Sequence, residues 1–171
     1  MAPGDERDDN GPLAFFLTFT TYGTWLHGDP RGSIDRSNDA YGQLWLEPSP
    51  ARLRYEQRFR LTSPAVRLDH TARAAVTEAI AHTCDLRGWS LLALNARTNH
   101  VHAVVRAPVP PEKILTALKA NATRRLAELQ IVLAGARVWT RHGSTRYWWK
   151  ESDVRDACAY VIEGQGSPPG F

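Results

Sequence analysis

An α+β fold of the split βαβ, or ferredoxin-like, type is predicted by three observations on this 171-residue sequence. Two β-like runs are joined by a tight connection, a helical pattern stands on each side of that pair, and one apolar strand-like run precedes them all. The resulting order of strand, helix, strand, strand, helix, strand gives an antiparallel sheet with its helices on one face, followed by an extra C-terminal helix. The opposite face is expected to stay open for a site or a partner.

Residues 1–12 hold four acidic residues and one basic one, with no apolar stretch after a basic start. They read as a disordered acidic tail, and nothing in them resembles a secretion signal. The run LAFFLTFTT at 13–21 is rich in aromatic and β-branched residues and stops at Tyr22 and Gly23, which makes it the first strand. From 23 to 65 the chain is rich in Gly, Pro, Asp and Arg, so it reads as a long insertion with short helices inside one domain spanning 13–166. Asp69 is placed to cap a helix through Arg87, with Ala72, Ala75, Val76, Ala79, Ile80 and Thr83 as its apolar stripe and Gly88 as its stop.

Two short β-like runs at 89–95 and 100–107 then look like a hairpin. Pro110 and Pro111 open a helix to about Ala134, with Leu115, Leu118, Ala122, Leu126 and Leu129 on one side and Gly135 ending it. The aromatic stretch 138–150 is interrupted at His142, Gly143 and Ser144, and forms one bent strand or a small hairpin. Ser152 is expected to cap a last helix whose buried stripe is Val154, Ala157, Cys158, Val161 and Ile162, with Gly164 terminating it and 167–171 left as a tail.

Composition excludes several classes. A hydrophobic fraction of 43% and a charged fraction of 23% are those of a globular protein, and no apolar run approaches the roughly 20 residues of a membrane span. Cys84 and Cys158 fall in helical patterns without metal-type spacing, which favours buried reduced thiols and a cytoplasmic protein. The net charge of +3 is mild, but 97–150 alone holds ten basic residues against two acidic ones. There Lys119, Arg124, Arg125, Arg141 and Arg146 are interleaved with Trp139 and Trp148. Cations neutralise phosphates and aromatic rings stack on unpaired bases, so this mixture suits single-stranded nucleic acid as well as it suits a solvated basic face with core tryptophans.

The sharpest chemical signal is Asn99-His100-Val101-His102-Ala103-Val104-Val105. Strand alternation puts His100 and His102 on one face and Val101, Ala103 and Val105 on the other. Two imidazoles at i and i+2 can share one divalent metal if an oxygen or nitrogen ligand comes from elsewhere; otherwise they are ordinary strand histidines.

The stretch TNHVHAVV in this setting resembles the His-hydrophobe-His motif of the HUH endonucleases, most closely the single-tyrosine and REP-associated tyrosine transposases. PEKILTALKANATRRL is similar to that family's helix after the motif, with its Lys/Arg cluster, and VWTRHGSTRYWW resembles its aromatic strand. The resemblance covers 13–22 and 66–166 and leaves 23–65 unmatched. It implies a Mg²⁺ or Mn²⁺ ion on His100 and His102, a tyrosine that attacks a scissile phosphate to leave a 5′-phosphotyrosine and a free 3′-hydroxyl, and single-stranded DNA or a DNA hairpin as substrate. The implied nucleophile is Tyr160, which helical geometry places beside the last helix's stripe and not within it. Tyr147, set among tryptophans, is its rival. Where the family often has Asn or Gln four positions after the tyrosine this chain has Gly164, so the third ligand is expected from Gln165, or from Glu163. A homodimer is possible by the same likeness. The alternative is a binding protein of this fold that has lost catalysis and keeps its basic, aromatic face for DNA or RNA.

Overall fold

The computed structural model describes residues 11–24, 33–34, 45–46, 49–55, 57, 59 and 61–163. In chain order its elements are β1 (Ala14–Thr20), β2 (Ser33–Ile34), β3 (Trp45–Leu46), α1 (Pro50–Tyr55), α2 (His70–Arg87), β4 (Ser90–Ala96), β5 (His100–Arg106), α3 (Pro111–Glu128), β6 (Ser144–Trp148) and α4 (Glu151–Glu163). The main sheet has the order β4-β5-β1-β6, antiparallel throughout, which is the predicted ferredoxin-like arrangement. Within the 23–65 insertion, β2 and β3 pair as a two-residue ladder and α1 is a short helix.

The first helix follows its end signals closely. Asp69 accepts a hydrogen bond from the Ala72 amide at 2.8 Å, and Gly88 closes α2 at φ 66°, a left-handed conformation that glycine takes at little cost. Its buried residues are the six of the predicted stripe plus Cys84. They pack with Ile114, Leu115, Leu118, Ala122 and Leu126 of α3 against Phe15, Leu17, Phe19, Val101, Ala103 and Val105 of the sheet.

Two boundaries and one stripe residue differ from expectation. Helix α3 stops at Glu128 and not near Ala134, because Gln130 adopts φ 57°. There the Gln130 amide donates to the Ala127 carbonyl and the Ile131 amide to the Leu126 carbonyl, each at 2.9 Å, which is the paired bonding of a Schellman stop. A non-glycine residue in that conformation costs about 1 kcal/mol, offset by Ile131 and Val132 folding back on the core. Leu129 is left 43% exposed, and Gly135 belongs to a later turn. Ser152 lies inside the first turn of α4 and is not its cap, its hydroxyl meeting the Asp153 carboxylate. Ile162, assigned to the buried stripe, is 68% exposed, because α4 is narrower in its contact and buries only Val154, Ala157 and Val161.

The stretch 138–150 is one bent edge strand. Trp139 bridges to Thr21, while β6 pairs Ser144 with Thr18, so the register slips by two residues and a bulge forms between them. Lys119 reaches from α3 to satisfy the bulge, its ammonium donating to the carbonyls of Thr140 at 2.9 Å and His142 at 3.0 Å. Gly143 lets the bulge close on β1: a Cβ there would stand 2.8 Å from the Thr18 carbonyl oxygen and 3.2 Å from Leu115 Cδ1. Gly143→Ala is therefore expected to lower stability by about 1 to 3 kcal/mol, read as a shift in the urea midpoint at unchanged slope.

The face opposite α2 and α3 is not left open as expected. Helix α4 crosses it over β4 and β5, and Val154, Ala157 and Val161 bury themselves against Ala14, Phe16, Ala93 and Val104. Those four sheet residues make that half of the face apolar, so the last helix finds there the partner that its own stripe requires.

Candidate active site

Alternation along β5 separates its side chains as predicted. Val101, Ala103 and Val105 enter the helix-covered core at 0% exposure, while His100 and His102 stand half-buried on the α4 side. Their ring centroids are 4.7 Å apart at 69°. Antiparallel register puts Thr20 opposite His100, and Thr18 and Asn95 on either side of His102.

Each imidazole is oriented through its Nδ1. His100 Nδ1 is 2.8 Å from the Asn99 side-chain oxygen, and His102 Nδ1 is 2.8 Å from Thr18 Oγ1. With the carboxamide oxygen as acceptor, His100 Nδ1 is the donor; where His102 Nδ1 donates to Thr18 in the same way, the His102 Nε2 carries the lone pair of the neutral ring. Phe16 stacks on the His102 ring at 5.5 Å and 21°. Burial, with the adjacent His100 and Arg97 charges, pushes His102 down to about 4, so its ring is neutral at neutral pH and able to give a lone pair.

Helix α4 carries Tyr160 to this pair. Its ring lies on the flank of the buried stripe, 5.8 Å from the His102 ring and 6.1 Å from Phe16, both edge-on. The rival Tyr147 points to the other face of the sheet, edge-on to Phe15 at 5.4 Å, and is not brought to the histidines. Glu163 is exposed at the end of α4, and Gln165 lies outside the described residues. Among the described residues no His, Cys, Asp or Glu joins the two histidines in a group of three able to hold a metal.

The basic and aromatic residues divide between the two faces. Arg146 and Trp148, opposite Phe16 and Ala14, share the histidine face. The Trp148 indole N–H is buried and finds no acceptor among the described residues. The others lie elsewhere. Arg124 borders the groove between α2 and α3, on the far side of the sheet, and Arg125 bonds to Glu78 at 3.1 Å and sits 3.7 Å from Glu128. Lys119 is taken up by the bulge, and burial lowers its pKa. Trp139 is a core residue, 7% exposed, whose indole donates to the Lys119 carbonyl and Thr123 Oγ1 at 3.1 Å each. Arg141 is exposed on the bulge, in a cleft shared with α3.

Sequence reasoning missed Thr18, Asn95, Asn99 and Phe16 as parts of this site. Only Asn99, inside the motif itself, carried a local signal; the rest are supplied by register across strands and could not be found without pairing them.

No curated protein matches the chain. Among solved structures, a REP-associated tyrosine transposase bound to a REP hairpin has a TM-score of 0.52 at 11% identity, over 96% of this chain and 72% of that one. A candidate transposase from Deinococcus radiodurans R1 has a TM-score of 0.47 at 15% identity, over 98% of this chain and 99% of that one. The first of these likenesses concerns the fold. The family described as IS200-like transposase matches residues 59–155, from before α2 into the first turns of α4. Since that match spans more than half of the sequence and contains the whole His100-Val101-His102 strand, the chain belongs to the IS200-like transposase family.

Proposed function

We propose that this protein nicks and rejoins single-stranded DNA, or the foot of a DNA hairpin, through a covalent bond to Tyr160, with Mg²⁺ or Mn²⁺ held by His100 and His102. The observation that carries this reading is the meeting of three rings from β5 and α4, His100, His102 and Tyr160, on one face of the sheet. The residues fit a divalent cation: the His102 ring is neutral, and both imidazoles are oriented by a hydrogen bond at Nδ1, as metal-binding histidines are. Glu163, exposed at the end of α4, does not join the two histidines, so Gln165 is the residue that would complete the ligand set. When bound, the cation supplies Lewis-acid polarisation of the scissile phosphate.

The chain's own part is nucleophilic. Tyr160 Oη forms a bond to phosphorus and loses its proton, the bond from phosphorus to the 3′ oxygen breaks, and that oxygen takes up a proton to leave a free 3′-hydroxyl. The linkage to the tyrosine stores the energy of the broken ester, so the reverse attack by a 3′-hydroxyl rejoins strands without an external source. With α4 lying over β4 and β5, the substrate's route runs along β1 and β6, past Thr18, Thr20, Ser144 and Arg146. The REP hairpin held by the structural neighbour supports a hairpin as one form of the substrate.

The deciding experiment incubates the protein with Mn²⁺ and end-labelled single strands and resolves the products on a denaturing gel. A 3′-label is expected to migrate with the protein and a 5′-label to be released. If no adduct forms with either metal, the protein is a nucleic-acid-binding relative without strand transfer. The same reading ranks the cations: Arg146→Gln is expected to weaken single-strand binding several-fold and flatten the log–log salt slope by about 0.7, the loss of one phosphate contact, while Arg124→Gln on the far face changes neither. Fluorescence anisotropy across a salt series measures both.

A further inference from the structure

Asn95 occupies a position that the chemistry above does not use. It lies on β4 directly across from His102, and its side-chain nitrogen donates to the main-chain carbonyl of Val161, 2.9 Å away on α4. Val161 is the residue after Tyr160, in the last described turn of that helix. That bond ties the main chain one residue beyond Tyr160 to the strand that neighbours His102. At its other end α4 is tied by Glu151 to Arg106, an exposed pair at 3.0 Å, and Arg106 Nε also donates to the Leu13 carbonyl at 2.9 Å. The exposed tie is screened by solvent, whereas the half-buried amide bond is short and shielded.

We propose that Asn95 is a positioning residue: its amide fixes the final turn of α4 against the histidine strand and so holds the Tyr160 ring beside His102. The arrangement is economical in geometry. One strand residue neighbours a candidate metal ligand through the sheet and the candidate nucleophile through a hydrogen bond, so the distance between the two groups is set through a single side chain. As an account of catalysis this rests on Tyr160 being the nucleophile; as an account of structure it does not.

The test uses the full chain with Asn95→Leu, which keeps the branched shape and removes the donor, and Asn95→Gln, which keeps a donor on a longer arm. Hydrogen exchange of amides in 158–163 is expected to quicken about five- to tenfold in Asn95→Leu, the loss of one shielded hydrogen bond, with exchange in α2 unchanged as the control. The cross-relaxation between the Tyr160 and His102 rings should weaken with it, and Asn95→Gln should recover part of both. Under single-turnover conditions the adduct should form at least tenfold more slowly in Asn95→Leu at unchanged DNA affinity. Unchanged exchange and ring contact in Asn95→Leu, no recovery in Asn95→Gln, or a loosened turn with an undiminished adduct rate would each overturn the proposal. If wild type forms no adduct at all, the nucleophile assignment fails, and the exchange and ring-contact measurements still decide the role of Asn95.

Discussion

Tyr160→Phe is expected to remove the covalent protein–DNA adduct entirely while leaving the fold, Mn²⁺ binding and DNA affinity close to wild type. The side chain flanks the buried stripe formed by Val154, Ala157 and Val161, and its ring makes edge contacts with Phe16 and His102 that phenylalanine retains. Loss of one phenolic hydroxyl there should cost about 1 kcal/mol or less. The chemical loss is total by contrast, because a phenyl ring has no oxygen to bond to phosphorus. Tyr147→Phe, on the opposite face beside Phe15, should leave the adduct intact. A 5′-linked adduct surviving in Tyr160→Phe would move the nucleophile elsewhere.

The second large effect belongs to the histidines. His102→Ala should abolish adduct formation and lower Mn²⁺ affinity by about 100-fold or more, measured by calorimetric titration, since a single imidazole holds a labile cation poorly. Its stability cost should exceed that of His100→Ala. The His102 ring stacks on Phe16 and bonds to Thr18, so truncating it opens a gap in the packing under α4 and should cost about 1 to 2 kcal/mol. The sequence led to an open face around both rings, and for His102 the stacking on Phe16 revises that. A variant with both histidines replaced that bound Mn²⁺ as well as wild type would show that the two rings serve packing alone.

Much of the fold was legible because its signals are local. Asp69 and Gly88 bracket α2 through capping chemistry written in adjacent residues, and the period of two in HVHAVV sorts β5 into a core face and a site face. What could not be read depends on partners far along the chain. The bulge at Thr140–Gly143 exists because Lys119 and Thr18 meet it from other elements, so Lys119 looked like a phosphate contact when its charge is spent on two carbonyls. Trp139 looked like a stacking platform for the same reason, its burial being decided by α3. The end of α3 escaped notice because a glutamine, not a glycine, takes the left-handed position. In the candidate site, strand alternation foretold the shared face of the two histidines and helix phase the place of Tyr160 beside the buried stripe, whereas Thr18 and Asn95 join only through register.

The place of β1 in the sheet has a kinetic consequence. The strand AFFLTFT is made first, yet it sits between β5 and β6, with its bond from Thr18 to His102 closing a separation of 84 residues. Hairpin β4–β5 and its flanking helices can condense from neighbouring residues, whereas β1 must wait, uncharged and with both backbone edges unpaired, until distant segments arrive. A run of seven such residues without proline or glycine is itself a template for intermolecular pairing. Refolding should accordingly be a race between insertion of β1 into the waiting hairpin and self-association, with yield falling steeply as protein concentration rises.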